Sequence, residues 1–152
     1  MDDSARPIIL LADDDPDDQE MIRRAVVKSQ LSADLHAVED GEQLLDYLHH
    51  RGRFAAPAIA PRPWIILLDF NMPKMDGREA LVEIKAHALF RRIPVIVMTT
   101  SSAERDISRA YDLGSSSFIR KPVTLTALAQ VMSVLGKYWF EVVSLPAATE
   151  GS

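Results

Sequence analysis

Short, nearly unbroken apolar runs alternate along the chain with longer stretches of helical spacing. Ile8–Ala12 (IILLA), residues 64–68 (WIILL) and residues 95–98 (VIVM) each stop at a polar turn. Strands covered on both faces read this way, as in a parallel sheet. Residues 33–38 and Ser117–Arg120 are weaker strand candidates. Between these runs, apolar residues recur at helical intervals: Ile22, Ala25 and Val26; Leu44, Leu45 and Leu48; Leu81 and Ile84; Ile107, Ala110 and Leu113; Leu128, Val131 and Leu135. Five such strand–helix units in sequence predict an α/β fold, a doubly wound parallel sheet of five strands with five helices.

The punctuation agrees with this reading. Asp15 before Pro16 suits a helix start, and Asp40-Gly41 and Asp76-Gly77 read as turn and cap signals. Ser101 with Glu104 makes a capping-box pattern, and Gly114 is placed to end that helix. Two segments fall outside the alternation. Residues 51–63 (RGRFAAPAIAPRP) are long for a connection and are expected to form a mobile surface insertion. The tail from Tyr138 (YWFEVVSLPAATEGS) opens aromatic and closes polar, so its last residues are expected to be disordered.

Composition narrows the function classes. With 152 residues and about half of them apolar, the chain suffices for one domain with an ordinary core. No apolar run approaches the ~20 residues needed to span a bilayer, and the acidic start is unlike a signal peptide. There is no cysteine, which removes disulfides and thiolate chemistry, and a cytoplasmic location is expected. A net charge of −5 argues against nucleic acid or an anionic membrane as the main partner.

The candidate chemistry lies at the strand ends. Asp13 and Asp14 follow the first strand, Asp69 the third, Thr99 the fourth and Lys121 the fifth. In an open α/β sheet the carboxyl ends of the strands form the ligand crevice. If the first and third strands are neighbours, three carboxylates converge there. Two unit charges ~4 Å apart repel by ~1 kcal/mol in water and ~4 kcal/mol at an effective dielectric near 20. A hard divalent cation such as Mg²⁺ relieves that repulsion, and cation plus acids makes a phosphoryl-transfer site. A lone aspartate after a strand is more often a helix cap, and Asp15, Asp17 and Asp18 are assigned to that role. Five suitable residues at the ends of four strands are harder to dismiss.

In the segments LLADDDP, LLDFNMPKMDG, PVIVMTT and FIRKP, taken in order, the chain resembles the receiver domains of two-component response regulators. The resemblance covers residues ~8 to 137, about one such domain, and the tail beyond is read as a C-terminal extension, residues 138–152. It implies a flavodoxin-like sheet of strand order 2-1-3-4-5 and Asp69 as phosphoacceptor. It further implies Mg²⁺ held by Asp14, Asp69 and the Asn71 carbonyl with help from Asp13. Lys121 would pair with the phosphoryl group, Pro122 would commonly follow a cis bond, and Thr99 and Phe118 would act as switch residues. The alternative for Phe118 is a plain core aromatic, and it lacks the hydroxyl of the tyrosine common in relatives.

The tail and the long insertion resemble the stand-alone regulators that serve phytochrome histidine kinases. That likeness implies a bacteriophytochrome-type kinase as donor and a homodimer through Tyr138, Trp139, Phe140 and Val143. The alternative for the tail is that it folds onto its own domain. Three rival functions fit the sequence less well. A haloacid-dehalogenase-type phosphatase would need an acid where Asn71 stands. An FMN binder would need a phosphate loop where DDDPDD would repel the ligand. A degenerate receiver used only for interaction is opposed by the complete set of acids, threonine and lysine.

Overall fold

The computed structural model describes residues 6–100 and 103–146. Five strands, β1 (Ile8–Ala12), β2 (Asp34–Val38), β3 (Ile65–Leu68), β4 (Val95–Thr99) and β5 (Ser117–Arg120), alternate with five helices. The helices are α1 (Pro16–Lys28), α2 (Gly41–His49), α3 (Gly77–Ala86), α4 (Glu104–Asp112) and α5 (Leu125–Lys137). The strands form one sheet in the order β2-β1-β3-β4-β5, parallel throughout. The fold is the one expected.

The two-residue period of the strands divides the core. Leu10, Ala12, Ile66, Leu68, Val95 and Val97 face α2, α3 and Ala110 of α4. Ile9, Leu11, Ile65, Leu67, Ile96 and Met98 face α1 and α5. Because β1, β3 and β4 are buried on both faces, their sequences are continuously apolar. The helix starts are chemically marked. The Asp15 side chain accepts the Asp17 amide at α1, Asp40 accepts Gln43 N–H at α2, and Asp76 with Glu79 closes a full capping box at α3.

Three expectations change. The insertion is packed rather than mobile: Phe54 is buried beside the Tyr47 ring, with centroids 5.3 Å apart. The Tyr47 hydroxyl donates to Pro61 O at 2.7 Å, and the His50 ring meets Ala60 O at 2.8 Å. An aromatic anchor and two hydrogen bonds fix a segment that composition alone would leave loose. Helix α4 starts after Ala103, which offers no side-chain cap; Ser101, the expected cap, lies outside the described residues. Among the described residues no peptide bond is cis, so Pro122 follows a trans bond, the form an X–Pro bond prefers by ~0.5–1 kcal/mol.

The tail in part follows the alternative of folding onto its own domain. Helix α5 runs on into a π-helical turn, Tyr138–Val142, and Trp139 and Phe140 pack against the chain's own α1/α5 core. Phe140 meets Trp64 edge-on at 5.6 Å. Tyr138 and Val142 stay outside, 49% and 64% exposed. With residues 143–146, the turn lines an open groove of about 450 Å³ at the amino-terminal end of the sheet, floored by Trp64, Ile93 and Pro94. The tail residues expected to be disordered, 147–152, lie outside the described residues.

Candidate phosphoryl-transfer site

Strand register builds the site. Ala12 of β1 pairs with Leu68 of β3, so Asp13 and Asp69 step off adjacent strands at the same level. Backbone bonds hold them there: Asp69 N–H donates to Ala12 O and Asp13 N–H to Val38 O, each at 3.0 Å. On the other side Thr99 ends β4, and its carbonyl accepts the Lys121 N–H at 2.8 Å. The winding reverses between β1 and β3, where such a sheet opens its crevice.

Asp13, Asp14 and Asp69 can each bring a carboxylate oxygen within 4.8 Å of the others. Asp13 and Asp69 are buried and Asp14 is open to solvent. The Lys121 ammonium reaches into the group and donates to Asp13 at 2.7 Å, Asp18 at 2.9 Å and Asp69 at 3.1 Å. Burial raises the Asp13 pKa; hydrogen bonds from Lys121 and from the Asp15 amide oppose that rise, and the Asp69 charge adds to it. Burial also disfavours the Lys121 ammonium, but its hydrogen bonds to Asp13 and Asp18 outweigh this and hold its pKa above the ordinary value. The lysine is therefore firmly charged, clamped by the acids it neutralises.

Gly77 brings the β3–α3 loop back over Asp69. Its amide donates to Phe70 O at 3.0 Å, and a Cβ there would collide with the Asp69 carbonyl oxygen. Asn71 sits in this loop. Its amide donates to Asp69 Oδ1 at 3.0 Å and its side chain to the Thr99 hydroxyl at 3.3 Å. Both oxygens of Asp69 thus have a fixed donor, and beside them lies the acid cluster with its solvent-exposed member Asp14. Such an all-oxygen set, with one buried acid whose pKa is raised by burial, suits a hard divalent cation. Phe118 packs against the α2/α3 core and meets Phe70 edge-on at 6.4 Å.

Asp13, Asp14, Asp69, Thr99, Lys121 and Asn71 are gathered at one end of the sheet, whereas Tyr138, Trp139, Phe140 and Val143 are at or near the other. Asp18 was missed. As an acid at a helix start it has a local explanation, yet it also accepts from Lys121; its place in the first turn of the helix that leaves Asp13 is the available signal.

Comparison with known proteins agrees with this geometry. The response regulator receiver domain family matches residues 9–133. Response regulator Rcp1 of Synechocystis is 36% identical over 150 residues, covering 97% of this chain and all of that protein. A solved structure of the Mn²⁺-bound form of response regulator Rcp1 superposes with a TM-score of 0.81 at 35% identity, over 93% of this chain and 99% of that one. The phosphorylated cyanobacterial phytochrome response regulator RcpA gives 0.85 at 38% identity, over 94% and 100% of the two chains. Response regulator RPA3017 in red light signaling of R. palustris gives 0.88 at 35% identity, over 93% and 99%. With its acids, lysine and threonine assembled at the carboxyl end of a 2-1-3-4-5 sheet, this chain belongs to the response regulator receivers of two-component signalling.

Proposed function

We propose that Asp69 is the phosphoacceptor and that a phytochrome-type sensor histidine kinase is the donor. The reading rests on the convergence of Asp13, Asp14 and Asp69 with Lys121 clamped among them. An Asp69 carboxylate oxygen attacks the phosphorus of a phosphohistidine; the P–N bond breaks and the leaving imidazole nitrogen takes up a proton. The loop amide of Asn71 holds one Asp69 oxygen while the other attacks. Lys121 moves from the carboxylates to the phosphoryl oxygens, and the Thr99 hydroxyl leaves Asn71 for a third oxygen, with Phe118 following it inward. Asp14, Asp69, Asp13 and the Asn71 carbonyl would hold Mg²⁺, which when bound offsets the charge building up on the transferring group. The same residues would assist hydrolysis of the aspartyl phosphate. Red light signaling and phytochrome, named for two relatives, support the choice of kinase.

The test is incubation of pure protein with Mg²⁺ and acetyl phosphate, followed by intact mass. One added phosphoryl group is expected on wild type and none on Asp69→Asn; label persisting in the variant refutes the assignment.

We also propose that residues 138–152 act as a dimerisation extension. Tyr138 and Val142 present an exposed apolar edge continuous with the half-buried Trp139, Phe140 and Val143. Tyr138→Glu with Val142→Glu, which spares the inward-packed rings, should convert a dimer into a monomer in light scattering. An unchanged dimer rejects the interface.

A further inference from the structure

Beside the acid cluster, a second set of contacts leaves the phosphoacceptor loop and ends on α4. Phe70 directly follows Asp69 and is fully buried. The Arg78 guanidinium lies over its ring, 4.6 Å from the centroid. From there Arg78 Nη2 donates to Asp106 in the first turn of α4 at 3.0 Å, and Nη1 lies 3.8 Å from Asp76, the cap of α3. These side chains are largely enclosed: Arg78 is 30% and Asp106 13% exposed. Ala103, at the cap position of α4, has no side chain able to accept a hydrogen bond, and the buried residue of the helix is Ala110. A shielded ion pair thus ties the first turn of α4 to the start of α3.

We propose that Arg78 is a positioning residue that latches α4 to the phosphoacceptor loop, so that the readiness of Asp69 to react depends on where α4 sits. The planar guanidinium does two things a lysine cannot do together: it lies over the Phe70 ring while one nitrogen donates to Asp106 and the other faces Asp76. Pulling the first turn of α4 away drags on a ring whose backbone adjoins Asp69 and whose carbonyl accepts from Gly77. The latched arrangement is also the one in which Asn71 holds the Thr99 hydroxyl and three carboxylates hold Lys121. Asp69 chemistry must draw on both groups, so releasing the latch eases departure from this arrangement. By reciprocity, whatever grips α4 from outside changes the reactivity of Asp69. This kinetic part rests on Asp69 as phosphoacceptor.

The experiment is a cycle of Arg78→Ala, Asp106→Ala and the double variant, with Arg78→Lys and Asp106→Asn as gentler replacements should either alanine variant fail to fold. Two quantities are read: the initial rate of labelling by acetyl phosphate with Mg²⁺, and amide exchange over residues 103–107. Each single variant should label about 3- to 10-fold faster than wild type, with exchange accelerated in the first turn of α4. The double variant should be no faster than either single one, since one latch can be broken only once. Arg78→Lys should fall between wild type and Arg78→Ala. Labelling within twofold of wild type, slower labelling, or single effects that multiply in the double variant would each overturn the latch. A wild-type chain that takes no label refutes the assignment of Asp69 instead. Exchange with Mg²⁺ present then decides the latch: equal loss of protection in both single variants supports it, and unchanged protection overturns it.

Discussion

Replacing Lys121 by methionine keeps the length and apolar stem of the side chain and deletes its charge. In the wild-type chain Lys121 is 8% exposed, and its ammonium is shared by Asp13, Asp18 and Asp69 at 2.7–3.1 Å. Removing one partner of a buried ion pair costs ~3–5 kcal/mol, because the other charge is left without compensation. Asp18 is about a third exposed and can turn to water, so the burden falls on Asp13 and Asp69 and the low end, ~3 kcal/mol, is expected. Against a total stability of ~5–15 kcal/mol, urea titration reads such a loss as a lower midpoint with an unchanged slope.

The sign of the pH dependence follows from Asp13. Burial already holds its folded pKa above the ordinary value, so the folded chain keeps its proton where the unfolded chain has released it. Its ionisation disfavours the fold as pH rises through that folded pKa, and the penalty fades below it. Without Lys121 the folded pKa climbs further. The destabilisation should thus be largest at neutral pH and shrink as the solution is acidified. Lys121 in wild type has its pKa raised, so its own contribution is intact throughout that window and is lost only above the ordinary lysine range. A loss below ~1 kcal/mol at pH 7, or one unchanged at the lower pH, would show that the lysine does not compensate buried charge.

Two further substitutions probe how the site is built. Gly77→Ala places a methyl group against the Asp69 carbonyl and 2.8 Å from Phe70 Cα, both backbone atoms that cannot rotate away. It should cost ~3 kcal/mol in thermal unfolding and displace Asp69; a variant as stable as wild type would mean the loop moves freely. Phe54→Ala removes the anchor of residues 51–63 and should cost ~3 kcal/mol, with loss of amide protection at Ala60. Retained protection there would show that the Pro61 and Ala60 hydrogen bonds hold the segment alone.

The central strands and the acid cluster were legible because each depends on position along the chain. Unbroken apolar runs mark strands buried on both faces, and Asp13, Asp69, Thr99 and Lys121 are the residues at or just beyond their ends. Features made by contact between distant residues were not legible. Phe54 is held by Tyr47, Phe140 by Trp64, and Arg78 by Phe70 and Asp106, pairings that no local spacing announces. Asp18 fell between the two classes. An acid in a first helical turn has a sufficient local explanation, and that explanation concealed its bond to Lys121.

The chain contains two tryptophans, Trp64 and Trp139, and both line the groove beside the tail. That groove opens where the parallel strands begin, whereas the carboxylates gather where they finish. Ultraviolet emission is consequently a built-in optical reporter of the tail, remote from ions arriving at the opposite pole. Titration with a divalent salt should leave the spectrum nearly constant unless the tail rearranges, and dilution through any self-association should shift it. One cuvette can therefore separate subunit pairing from charge chemistry without an attached dye.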